Sequence, residues 1–142
     1  MRTMLLMAFA ATLALTGCAT NRISDAERLD IYRAHAGAPV PSFRYFTALN
    51  GWTPLGDSAV AVWARHNDVY LLELNGRCPD LDFAQAISVT SQMGTVHARF
   101  DKVMVLDSNM VTMPCQIREI RPVDLRALRA LGVERAESAA GR

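Results

Sequence analysis

The stretch Ala59-Val60-Ala61-Val62-Trp63-Ala64-Arg65, His66-Asn67-Asp68, Val69-Tyr70-Leu71-Leu72-Glu73-Leu74 decides the fold class. Its first seven residues are an apolar run around a tryptophan. Its middle three are turn formers. Its last six place Tyr70, Leu72 and Leu74 on one face, with Glu73 and then Asn75 on the other. Two such runs across a short polar turn predict an antiparallel hairpin.

The same period of two extends outward in both directions. Phe43–Leu49 is rich in aromatic and β-favouring residues, and Asn50-Gly51 follows it, so a hairpin returning through Trp52–Leu55 is expected. Gly56-Asp57-Ser58 and Asn75-Gly76 read as turns. Leu81, Ala84 and Ile87 sit at helical spacing, which suggests one or two helical turns with Asp80 as N-cap. Ile87–Thr90, Thr95–Phe100, Val103–Leu106, Val111–Met113 and Cys115–Ile120 read as further strands. In Thr95–Phe100 the alternation turns Val96, Ala98 and Phe100 inward. Pro122 is expected to open a helix carrying Leu125, Leu128 and Leu131, which Gly132 closes. The expected fold is mainly β: a small antiparallel curled sheet or partial barrel, with a short N-terminal helix and one C-terminal helix.

The N-terminus has a different character. Arg2 precedes a 12-residue run, Met4–Leu15, broken only by Thr12. A membrane-spanning helix needs about 20 residues, so this run has the length of a secretion signal's apolar region. Leu15-Thr16-Gly17-Cys18 resembles the bacterial lipobox, which implies cleavage before Cys18 and lipidation of its thiol. An ordinary secretory signal that happens to contain a cysteine is the alternative. Ala19 in place of aspartate favours the inner leaflet of the outer membrane, facing the periplasm. Residues 1–17 are thus expected to be a signal peptide. Residues 18–42 would be a lipidated tether, with a surface helix capped by Ser24 and Glu27 and stopped at Gly37–Pro41. A β-rich domain would span residues 43–132, and residues 133–142 would be a disordered tail.

Composition agrees with one small globular domain. The chain has 142 residues, 51% apolar, with 15 basic and 14 acidic side chains. One of the basic residues falls in the signal, so the rest is charge-balanced. Disorder and a disulfide-dense scaffold are excluded, and nothing predicts nucleic acid as partner.

Cys78 and Cys115 are the cysteines left beside Cys18, and an even pair in an oxidising compartment reads as a disulfide. Two free buried thiols or half of a metal site are the alternatives. Neither cysteine has another Cys or His within four residues, so no metal or other cofactor is expected. Gly56-Asp57-Ser58 invites comparison with GDSL-type esterases. The downstream Asp-x-x-His is missing, since Trp63 and Gly94 stand three before His66 and His97. Of His35, His66 and His97, only His97 lies on a predicted strand face, and it is the first candidate for a binding role. Phe43, Tyr45 and Phe46 cannot all face inward on one strand, so an exposed aromatic is expected. Arg118, Arg121, Arg126 and Arg129 cluster near the C-terminal helix. Arg126 and Arg129 share an outward face, which is either solvated or a contact for anionic lipid or cell-wall polymer.

Several stretches together resemble a family of small Gram-negative envelope lipoproteins whose domain has no assigned activity. They are Tyr32–Pro39, Gly51–Gly56, Tyr70–Leu74, Cys78–Ala84 and Cys115–Ile120. The resemblance implies no reaction and no ligand. The expected function is a lipid-anchored periplasmic binding or scaffolding domain, non-enzymatic, whose partner is an envelope protein or cell-wall component. A small-ligand binder and a hydrolase with dispersed catalytic residues are the alternatives. A pocket holding His97 with a carboxylate would favour the hydrolase. An apolar cavity would favour the ligand binder, and an exposed apolar or arginine-rich patch the scaffold.

Overall fold

The computed structural model describes residues 23–107, 110–111 and 113–133. The signal, the lipobox with Cys18, and the tail from residue 134 lie outside the described residues. The fold is mainly β, and the described residues form two antiparallel sheets and two short α-helices. Helix α1 spans Asp25–Ala34 and α2 spans Leu125–Ala130. The strands are β1 (Ser42–Arg44), β2 (Gly51–Pro54), β3 (Ala59–Trp63), β4 (Val69–Leu74), β5 (Ala86–Val89), β6 (Thr95–His97), β7 (Lys102–Asp107), β8 (Met110–Val111) and β9 (Cys115–Val123). The larger sheet runs β2-β3-β4-β9-β7-β5, with β8 beside β7, and β1 pairs with β6 in a separate ribbon. Among the described residues no pairing joins β2 to β5, so the sheet curls without closing into a barrel.

The hairpin at the centre is as predicted. Ala59 pairs with Glu73 and Trp63 with Val69, across a loop in which Ala64 N–H donates to Asp68 O. All five β3 residues are buried because both faces of the strand are covered. Val60 and Val62 point into one core with Phe43, Leu72, Leu81, Val96 and Ile117. Ala59, Ala61 and Trp63 point into a second core with Leu29 and Tyr32 of α1 and Leu125 and Leu128 of α2. The two alanines leave room for helices. The valines meet the curled part of the sheet.

Of the stretch 18–42 read from sequence as a tether, the described residues from Ser24 on pack onto the sheet. Ser24 caps α1 by accepting from Glu27 N–H, as the capping pattern predicts. Tyr32 of α1 is fully buried. Beyond the helix, residues 36–40 run along the outer edge of β9. Gly37 N–H donates to Pro122 O and Val40 N–H to Ile120 O. Pro39 and Pro41 have no N–H to offer a further strand, which keeps this edge from extending.

Four local expectations are corrected. Asn50-Gly51 is not a hairpin tip. Asn50 N–H donates to Trp63 O and Gly51 begins β2, whose partner is β3. The chain before it breaks at Thr47, with φ 61°, and Phe43 pairs with Val96 instead. Pro122 does not open α2. It lies in β9, and Asp124 caps the helix by accepting from Arg126 and Ala127 N–H. Val133 is not tail. Gly132 at φ 66° lets Val133 N–H reach Leu128 O and bury the valine, while Leu131 stays exposed. Asp80 precedes a single 3₁₀ turn, Leu81–Phe83, without a side-chain capping bond.

Cys78 and Cys115 form the expected disulfide, with Cα atoms 5.6 Å apart. It ties the loop after β4 to the first residue of β9. Reduction, or Cys78→Ser, should cost about 2–5 kcal/mol of stability. Thermal unfolding of the two proteins with and without reductant checks this: wild type should melt lower in reductant, and Cys78→Ser should not respond.

Candidate groove beside strand β9

Strand β9 organises the surface that follows. One edge pairs with β4 from Leu74–Ile117 to Val69–Val123. The register shifts between Glu73 and Leu74, so Arg118 is an extra residue on the β9 side. The bulge brings the Arg118 guanidinium to Glu73, at 3.3 Å. Glu73 lies on the helix-side face of β4 and is buried. Arg33 of α1 grips it with both ends of the fork, Nε to Oε1 at 2.8 Å and Nη2 to Oε2 at 2.9 Å. These bonds outweigh the cost of burial and hold the Glu73 carboxyl below its ordinary value of 4.5, with Arg118 and Arg121 adding attraction.

A carboxyl held low contributes stability above its unfolded value and loses it as pH falls through the folded one. Glu73→Gln should therefore destabilise the protein at neutral pH by about 1–3 kcal/mol, a modest figure because Arg33 is exposed enough to be rehydrated. The gap between wild type and Glu73→Gln should narrow as pH drops below 4.5. Chemical denaturation across that range is the measurement.

The other edge of β9 is shared. Its first residues pair with β7, Lys102 with Gln116 and Val103 with Cys115. Its last residues carry segment 36–40. Between the two lies an open groove of about 520 Å³, walled by residues 39–41 and 97–100 and floored by residues 118–120. Pro39, Val40, Pro41, Ala98 and Ile120 make it mainly apolar.

Loop 97–101 is closed at both ends. Asp101 N–H donates to His97 O at 3.0 Å. The buried Asp101 carboxylate accepts from His97 N–H at 2.7 Å and from Thr90 Oγ1 at 2.7 Å. The His97 ring stands beside it, Nδ1 3.4 Å from Oδ2. At the tip, Arg99 is held at φ 69°, a left-handed conformation that costs a side-chain-bearing residue energy. Two bonds to β9 hold it there: Arg99 N–H donates to Ile117 O at 2.7 Å, and Gln116 Nε2 donates to Arg99 O. Phe100 is therefore outside, 77% exposed, and not inward as the alternation predicts. The period of two ends at His97, where β6 ends.

The sequence-derived candidates separate. His97 lines the groove. Cys78 and Cys115 serve the disulfide. Arg126 and Arg129 point outward, as expected, into a different and polar cleft with Asn67 and Asp124, where Arg129 lies 3.5 Å from Asn67 Oδ1. The arginines that reach the groove are Arg99 and Arg118. Arg118 was visible in the arginine cluster, but Arg99 and Phe100 carried no signal beyond being polar and apolar members of an apparent strand. The exposed aromatic expected near residue 43 is Phe46, with the Arg65 guanidinium 5.1 Å above its ring.

A family model described as a family of unknown function, DUF6491, matches residues 1–139. The chain belongs to that family. No curated protein matches it, and no solved structure does. Family membership therefore brings no reaction or ligand to this member of DUF6491, and a functional reading has to start from the groove.

Proposed function

We propose that this protein is a lipid-anchored domain of the bacterial envelope that binds a partner in the groove beside β9. The rigid display of Arg99 and Phe100 at the mouth of an apolar groove is the observation that carries the reading. Arginine and aromatic side chains supply much of the energy at binding sites when they are held ready. Here Arg99 is pinned through both its N–H and its C=O. The anchor rests on the lipobox at Leu15–Cys18 and on the resemblance to envelope lipoproteins.

Hydrolysis is the second reading, favoured by His97, which lines the same groove with the buried Asp101 carboxylate behind it. Among the described lining residues none is Ser, Thr or Cys, so such a reaction would use water with His97 as base. The closest partners of the Asp101 carboxylate are a main-chain N–H and Thr90, which is the geometry of a loop cap.

Two measurements test the proposal. Labelled palmitate should enter wild type and not Cys18→Ser, and absence of label from wild type would remove the anchor. A photoreactive residue at position 100, in cells, should capture a specific molecule that the same residue at Met93, itself 98% exposed, does not. Equal capture at both positions would remove the groove as the binding surface.

A further inference from the structure

We infer that the occupant of the groove is a single-chain, long-chain carboxylate, with its acyl chain between the apolar walls and its carboxylate on Arg99. This rests on the reading of the groove as the binding site, and it names the chemistry of the ligand.

The first observation is that most main-chain N–H groups of the two walls are already bonded within the protein. Pro39 and Pro41 have no N–H. Val40 N–H is bonded to Ile120 O, Ala98 N–H to Pro41 O, and Arg99 N–H to Ile117 O. The carbonyls of Pro41, His97, Arg99 and Ile120 each accept a bond within the protein. An extended peptide laid along these walls would find few N–H donors for its own carbonyls, and desolvating them unpaired is costly. An acyl chain has no such groups. It gains from the apolar walls alone.

Charge supplies the second observation. Glu119 on the floor has Arg121 at 3.6 Å, and Arg118 has Glu73 at 3.3 Å. Among the described residues no carboxylate forms an ion pair with Arg99. The unbalanced charge at the mouth is therefore positive, on a side chain whose backbone is immobilised. A guanidinium receives a carboxylate through two parallel N–H bonds. Phe100 beside it offers an aromatic face to the first methylenes of the chain. The volume, about 520 Å³, is in the range of small-molecule sites and suits one chain better than a two-chain lipid.

The full chain, reconstituted in lipid nanodiscs, is exposed to a fatty acid carrying a diazirine at mid-chain, irradiated, and mapped by peptide mass spectrometry. Label is expected on residues 39–41 and 97–100. Laurate should compete, while dodecanol and dodecylamine, with the same chain and no carboxylate, should need roughly tenfold or more concentration. Arg99→Gln should weaken competition by laurate by a similar factor and leave that by dodecanol unchanged. Arg126→Gln, in the other cleft, should change neither. Label confined to other surfaces, dodecanol equal to laurate, or indifference to Arg99→Gln would each overturn the inference. If the photoreactive residue at position 100 captures a polypeptide while the fatty acid leaves the groove unlabelled, the binding surface stands and the carboxylate falls. If neither probe marks the groove, both fall.

Discussion

Strand β9 has one partner on one edge and two on the other, and the rest of the structure depends on that division. Its edge toward β4 is paired along most of its length. Its outer edge passes from β7, near Cys115 and Gln116, to segment 36–40, near Ile120 and Val123. The bulge at Arg118 sits where the handover occurs. The groove is the space left between the two outer partners.

Both ends of β9 are fastened. At its start the disulfide holds it to the loop after β4. At its end Asp124 caps α2, and Asp124 N–H also donates to His35 O at the end of α1. The two helices therefore reach the same face of the sheet beside one another. Glu73 completes that face. It is the polar residue where the helix-side core meets the bulge, and the two-pronged bond from Arg33 satisfies both its oxygens. A buried carboxylate without such partners would be expensive. With them it locks α1 to the sheet at a defined position.

The groove inherits its character from this scaffold. Its wall at 97–100 is held by Asp101 from within and by Ile117 and Gln116 from β9. The left-handed backbone at Arg99 is offset by those bonds, and its result is an arginine and a phenylalanine presented outward together. The opposite wall, rich in proline, offers shape and apolar surface without main-chain donors. A ligand held there would be selected by side-chain charge and by the fit of an apolar body.

The sequence by itself determined the local pieces. The alternation in Ala59–Leu74 specified a hairpin, Ser24 and Glu27 specified where α1 starts, Leu125 and Leu128 specified the buried side of α2, and the even cysteine pair specified a bond. Each of these is decided within a few residues or by simple pairing, so the sequence shows it directly. Only the tertiary structure decided which strand joins which. Asn50-Gly51 has turn chemistry, but the chain before it finds β6, where Phe43 stacks on Tyr70 with ring centroids 4.5 Å apart. Pro122 has helix-start chemistry, but β9 continues through it because β4 offers partners as far as Val123. The groove was invisible for the same reason. Segments 39–41, 97–100 and 118–120 are far apart in sequence, and each is an ordinary piece of loop or strand alone. They form a groove when β9 brings them together, because partner choice follows long-range burial and hydrogen bonding that no local pattern encodes.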